Sequence, residues 1–145
     1  MSLEIENATQ SYVKNFYTTY SIKSDWATAL LFCDQFNMKL AILGTKEEEL
    51  WFLKNWNDSG FNATYDHAYL AGTDEGSPGQ WYWATTGKLI EYQLMWKAGN
   101  PDNLGGNEHC LDLFAGGFND APCTEGYKFA FICEKVNKIK NYSVI

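Results

Sequence analysis

The chain has 145 residues, enough for one domain with a core of its own, and its net charge of −7 disfavours phosphate backbones and anionic membrane surfaces as partners. Apolar residues make up 46% of it and aromatic residues 17%, so its core or binding surface is rich in rings. No apolar run reaches the ~18 residues of a membrane span. Neither nucleic-acid binding nor membrane insertion is expected, whereas an acidic surface suits a divalent cation.

Residues 1–11 are polar and are expected to form a loose N-terminal extension to a single domain over 12–135, with a tail over 136–145. The opening MSLEIEN has neither a basic n-region nor an apolar h-region, so the expectation is a mature chain without its leader, with Met1 extraneous. Tyr12 to Tyr20 reads as a first strand. Ser24 is placed to cap a helix from Asp25 to Asn37, in which Trp26, Ala29, Leu30, Cys33 and Phe36 follow helical spacing. Leu40 to Leu43 is a short apolar strand. Thr45-Lys46-Glu47-Glu48 is a capping box for a second helix with the apolar stripe Leu50, Leu53 and Trp56 and a stop at Gly60. The Glu47–Glu49 run reads as a solvated helix start at the positive end of the dipole.

Beyond that point the chain reads as strands and loops. Short strands are expected at Ala68–Gly72, Gln80–Thr85 and Leu94–Trp96, with a Gly-, Ser- and Pro-rich turn over Asp74–Gly79. Cys110–Phe114 and Phe129–Cys133 alternate, and Gly116-Gly117 turns the chain between strands. The order, one strand, two helices, then many strands, is that of an α+β domain with helices segregated from an antiparallel sheet. The six tryptophans are expected mostly in the core, His67 at the surface, and His109 at a strand edge or behind a ligand.

Cys33, Cys110, Cys123 and Cys133 form an even set without a CxxC pair, which argues against a zinc ribbon or a thioredoxin-type site; alone they allow three pairings. Sequons at Asn7, Asn57, Asn62 and Asn141 are candidate glycosylation sites. With the even cysteine count they point to the secretory route and an extracellular protein. The chain has no G-x-S-x-G, P-loop, G-x-G-x-x-G or H-E-x-x-H, neither histidine has an obvious nucleophile beside it, and the cysteines read as structural, so no enzymatic activity is expected.

The stretch GNPDNLGGNEHC, residues 99–110, gathers oxygen-bearing side chains where glycine and proline keep the chain out of helix and strand. Asn100, Asp102 and Glu108, with Asn119 and Asp120 of FNDAPC, are the donors that Ca²⁺ prefers: carboxylates and amide carbonyls. The two groups flank a hairpin that antiparallel pairing would fold back on itself, and Cys110 and Cys123 bracket it. The linear EF-hand pattern is absent, so such a site draws on two segments.

YLAGTD, GQWYWATTG, WKAGNPDN, NEHC, FNDAPC and FAFICE, together with the helix bearing Cys33, resemble the C-type lectin-like domain, in particular the small single-domain forms secreted by insects. The resemblance runs from about Tyr12 to Glu134. It implies the C-type lectin-like fold, the disulfides Cys33–Cys133 and Cys110–Cys123, and a cis Asn100–Pro101 bond. In the chain-entropy account the outer bridge would contribute up to ~4.7 kcal/mol and the inner one roughly 3. The resemblance also implies a Ca²⁺ held by Asn100, Asp102, Glu108, Asn119 and Asp120, and a sugar bound at Asn100, Asp102, Glu108 and Asn119. Phe118 stands where the family has Trp. At the family's auxiliary calcium site Asp74 keeps one ligand, but Pro78, Asn103 and His109 replace acids, so that site is expected to be absent or feeble.

The function implied is calcium-dependent binding of glycans or glycoproteins, in innate recognition or adhesion. Two vicinal sugar hydroxyls would replace water on the ion, donating to carboxylates and accepting from amides. Amide first and acid third, as in Asn100-Pro101-Asp102, is the family's galactose-type order, although Asn is one methylene shorter than the family's Gln. The alternative is a lectin-like domain that binds a protein partner and uses calcium only structurally.

Overall fold

The computed structural model describes residues 1–6, 11–58, 66–124 and 126–139. The sequons at Asn7, Asn62 and Asn141 and the expected stop at Gly60 lie outside these residues, as does the side chain of Asn57.

Strand β2, Ser11–Thr18, pairs antiparallel with β9, Ala130–Lys138, across seven residue pairs from Tyr12↔Lys138 to Thr18↔Ile132. The N-terminal segment expected to be loose is a strand: β1, Ser2–Glu6, pairs antiparallel with β2. Leu3 and Ile5 alternate with polar residues, the period a half-buried strand requires. β9 likewise continues to Lys138, past the expected boundary at 135.

Helix α1 spans Trp26–Gln35, and its cap is Asp25, one residue later than expected. The Asp25 carboxylate accepts the Thr28 N–H at 2.8 Å, and its hydrogen bonds to Thr28 hold it below the usual carboxylate range. Ser24 is engaged elsewhere, in a bridge with Phe129. Trp26, Ala29 and Cys33 are buried, whereas Phe36 is exposed. The Trp26 indole N–H donates to the Leu70 carbonyl at 2.9 Å, tying the helix to the central strand.

Strand β3 is only Lys39–Leu40, paired with β9. Helix α2, Lys46–Asp58, starts on the Thr45 hydroxyl, which accepts the Glu48 N–H at 3.1 Å. Glu48 returns to the N–H of Gly44, not Thr45, so the expected capping box is displaced by one residue. The buried stripe is also displaced: Phe52, Leu53 and Trp56 are buried, and Leu50 is exposed. Glu49 is not solvated. It is fully buried, pairs with Lys46 at 2.6 Å and accepts the Met95 N–H at 2.9 Å.

Strand β4, Ala68–Thr73, pairs antiparallel with β7, Cys110–Phe114, and with β5, Tyr82–Trp83. It also pairs parallel with β9, so the sheet is mixed rather than purely antiparallel. β5 continues to β6, Lys88–Leu89, and β7 pairs with β8, Gly117–Ala121. The β7–β8 turn falls on Ala115 and Gly116, both at positive φ, and Gly117 already belongs to β8. Leu94–Trp96 is no strand; Trp96 makes an isolated bridge to Phe118.

Trp26, Trp56 and Trp83 are buried, and Trp51, Trp81 and Trp96 are half-buried. Tyr69, Phe118, Phe131, Leu111 and Ile132 are fully buried members of one apolar core, and burying a side chain such as Phe118, Leu111 or Ile132 contributes roughly 1.5–3 kcal/mol. Gly72 is required by close approach: a Cβ there would lie 2.6 Å from Leu111 Cδ2 and 2.8 Å from its Cβ. The disulfides are Cys33–Cys133, joining α1 to β9, and Cys110–Cys123, closing the β7–β8 hairpin.

Candidate functional site

The loop between Trp96 and β7 is anchored at its base by β8. Lys97 N–H donates to the Phe118 carbonyl at 2.8 Å, and Phe118 N–H to the Met95 carbonyl at 3.2 Å. A Cβ on Gly117 would press on the Lys97 backbone at 3.2 Å, so glycine permits this approach. The Asn100–Pro101 bond is cis, as the resemblance implies.

Asp120 organises the loop tip. It is fully buried on β8, and its two carboxylate oxygens accept the N–H groups of Asp102 at 3.1 Å and Asn103 at 2.6 Å. Leu104 N–H is shared between Asp102 Oδ1 at 3.3 Å and Glu108 Oε1 at 3.1 Å. Asn103 Oδ1 accepts the Glu108 N–H at 2.9 Å, closing a compact turn. A single 3-10 turn over Leu104–Gly106 lies at its apex.

These bonds bring one carboxylate oxygen each of Asp102, Glu108 and Asp120 within 4.8 Å of one another. Hard oxygen ligands sit ~2.3–2.6 Å from Ca²⁺, so opposite ligands lie about 4.6–5.2 Å apart, and the spread fits one ion. The electrostatics match. Desolvation, followed by the hydrogen bond with Asp102 and the charges of Asp120 and Asp102, pushes Glu108 up to about 7 against the opposing Leu104 N–H bond. Three acids this close repel, and a divalent cation is the charge that relieves them.

The two amides of the expected set are placed differently. Asn119 adjoins Asp120 on β8, and its Nδ2 donates to Asp112 Oδ1 at 2.9 Å. Asn100 is half-buried, its N–H on the Lys97 carbonyl at 2.9 Å. It lines an open groove of about 700 Å³ whose walls include Trp81, Tyr92, Trp96 and Pro101.

Several residues of this region escaped the sequence reading. Asp112 is fully buried on β7; burial pushes its carboxyl up, while His67 and Asn119 act in the opposite sense. His67, expected at the surface, is half-buried: it bonds Asp112 through Nδ1 and stacks between Phe114 at 4.1 Å and Phe129 at 4.3 Å. The signal available was one carboxylate inside the apolar alternation CLDLF, which demands a buried partner. His109 lies behind Glu108, its Nδ1 2.8 Å from Asp74 Oδ1. Of the residues at the family's auxiliary-site positions, Asn103 accepts the Glu108 N–H through its Oδ1.

Residues 22–135 match the family model described as the lectin C-type domain, and the chain belongs to that family. Salivary C-type lectin 1 of Aedes albopictus is 28% identical over 131 residues, covering 85% of this chain and 84% of its own. Perlucin of Haliotis laevigata is 32% identical over 126 residues, covering 84% and 77%. Among solved structures, the carbohydrate-recognition domain of human scavenger receptor C-type lectin is 30% identical, with a TM-score of 0.69 and coverage of 90% and 94%. Membership places the chain among C-type lectin domains, a family of carbohydrate-binding proteins that are in general non-enzymatic. Among the described residues no helix is long and apolar enough to cross a membrane.

Proposed function

We propose that this chain is a secreted, calcium-dependent lectin whose ion is held at the tip of the 97–109 loop and bridges protein to sugar. The observation that carries the reading is the convergence of the Asp102, Glu108 and Asp120 carboxylates within 4.8 Å, with Glu108 pushed up to about 7. Such a cluster is costly by itself and favourable around a divalent cation. Asn100 and Asn119 would complete the set with amide oxygens. The ion would supply open positions for two vicinal hydroxyls, and the acids and amides around it would read their geometry.

The order Asn100-Pro101-Asp102, amide then acid, favours galactose-type hydroxyls. Within residues 103–109 Leu104, 74% exposed, is the apolar side chain, while Trp81 and Trp96 line a groove with Asn100. Rings that line such a groove can pack against the C–H face of a sugar. The two disulfides and the sequons support an extracellular setting, with glycans or glycoproteins of microbial or host surfaces as partners in recognition or adhesion.

A glycan array with calcium and again with EDTA tests this. Signal on galactose-type arms that disappears on chelation is the expected result. Signal that survives EDTA defeats the mechanism. Calcium uptake without binding to any glycan moves the chain to the alternative, a protein-binding domain with a structural ion.

A further inference from the structure

We propose that Asp74 and His109 form a metal-independent lock that holds Glu108 in its binding position before any ion arrives. The affinity consequence rests on Glu108 being an ion ligand; the lock itself rests only on geometry.

The residue that follows Glu108 is clamped at three points on the end of β4. His109 Nδ1 lies 2.8 Å from Asp74 Oδ1. The His109 carbonyl accepts the Thr73 hydroxyl at 2.6 Å and the Asp74 N–H at 3.1 Å. A carboxylate only accepts, so Nδ1 carries the proton and donates. The other oxygen of Asp74 accepts the Gly79 N–H at 2.8 Å, which fixes Asp74 from the far side. Asp74 is 6% exposed, so its charge sits in a half-dry environment where each of these bonds is strengthened.

One carboxylate thus joins the 74–79 turn to the last residue of the ion-binding loop, at the point where the loop enters β7. Without such a tie, an exposed loop with glycines at 99, 105 and 106 would sample many conformations when ion-free. With it, the ion meets a partly assembled cage and the ordering cost on binding falls. The same arrangement gives each oxygen of Asp74 a protein donor, so a second cation there would have to compete with His109 and the Gly79 N–H.

The test compares wild type, Asp74→Ala, His109→Ala and His109→Gln by hydrogen–deuterium exchange in EDTA and in saturating calcium, and measures calcium uptake by titration calorimetry. In EDTA, amides of residues 102–109 are expected to exchange at least about tenfold faster in Asp74→Ala and His109→Ala than in wild type. In saturating calcium the difference should close, and His109→Gln, which keeps a donor, should fall between. Calcium affinity is expected to fall about tenfold in the two alanine variants. Equal exchange in EDTA across all four proteins overturns the lock, as does a second calcium in wild type that Asp74→Ala removes. If Asp74→Ala fails to fold, the His109 pair decides alone. If wild type takes up no calcium, the proposed function fails, while the exchange comparison in EDTA still decides the lock.

Discussion

The Asp120 carboxylate on β8 accepts the backbone N–H of Asp102, 18 residues earlier in the chain, at 3.1 Å. One acidic side chain therefore shapes the loop and also supplies an oxygen to the cluster formed by that loop. Its removal acts twice, on position and on charge.

Asp102→Ala and Glu108→Ala are each expected to abolish calcium uptake and sugar binding together, by calorimetry and glycan array, while leaving the apo fold intact, since both residues lie at or near the surface. Asp120→Ala should also lose the ion and, in addition, lower the apo melting temperature, because two loop N–H groups lose their acceptor. An Asp102→Ala protein that binds sugar at wild-type affinity would place the site elsewhere.

Acid should release the ion. Glu108, pushed up to about 7 in the ion-free chain, must be deprotonated to coordinate, so calcium affinity should fall as pH drops through about 7. Ion-free stability has the opposite sign. A carboxyl raised above its ordinary value of 4.5 contributes stability that is fully present below 4.5 and is lost as pH rises through about 7. In EDTA, the melting temperature of wild type relative to Glu108→Gln should therefore be higher near pH 5 than near pH 8. A constant difference across that range would contradict the cluster.

His67→Ala is expected to destabilise the fold by about 2–4 kcal/mol in denaturant titration, since it strands the fully buried Asp112 carboxylate and removes a ring stacked between Phe114 and Phe129. The double variant His67→Phe with Asp112→Leu should recover part of that loss, because an apolar pair leaves no buried charge unpaired. No recovery would contradict the stranded charge as the cause, since phenylalanine keeps a ring between Phe114 and Phe129.

Gly72→Ala should cost about 1–3 kcal/mol, because the new methyl meets Leu111 Cβ at 2.8 Å, an atom that no rotamer change can move away. Urea denaturation of Gly72→Ala alone and with Leu111→Ala checks this; the two substitutions should be far from additive.

The lectin-type reading was legible through the resemblance, whose motifs lie in short, distinctive stretches. Residue type alone marked Asn100, Asp102, Glu108, Asn119 and Asp120 in GNPDNLGGNEHC and FNDAPC as oxygen-bearing candidates. The two helices and the strands at β4, β7 and β9 were legible from hydrophobic periodicity, within a residue or several at their ends. Glu49, His67 and Asp112 were not, since nothing local says whether a charged residue is buried. Glu49 is buried because Lys46 and Met95 N–H meet it there, and Asp112 because His67 and Asn119 do, from 45 residues before it and 7 after.

Residue type and spacing alone determined that this chain carries an oxygen-donor loop, an even set of cysteines and an α+β order of elements. Which sulfur meets which, which carboxylates converge within 4.8 Å, and how β4 comes to lie parallel to β9 were decided only by tertiary structure. The reason is range. Propensity and periodicity act over a few residues, whereas a coordination cage or a buried ion pair exists only once packing of the whole core brings distant segments to one place.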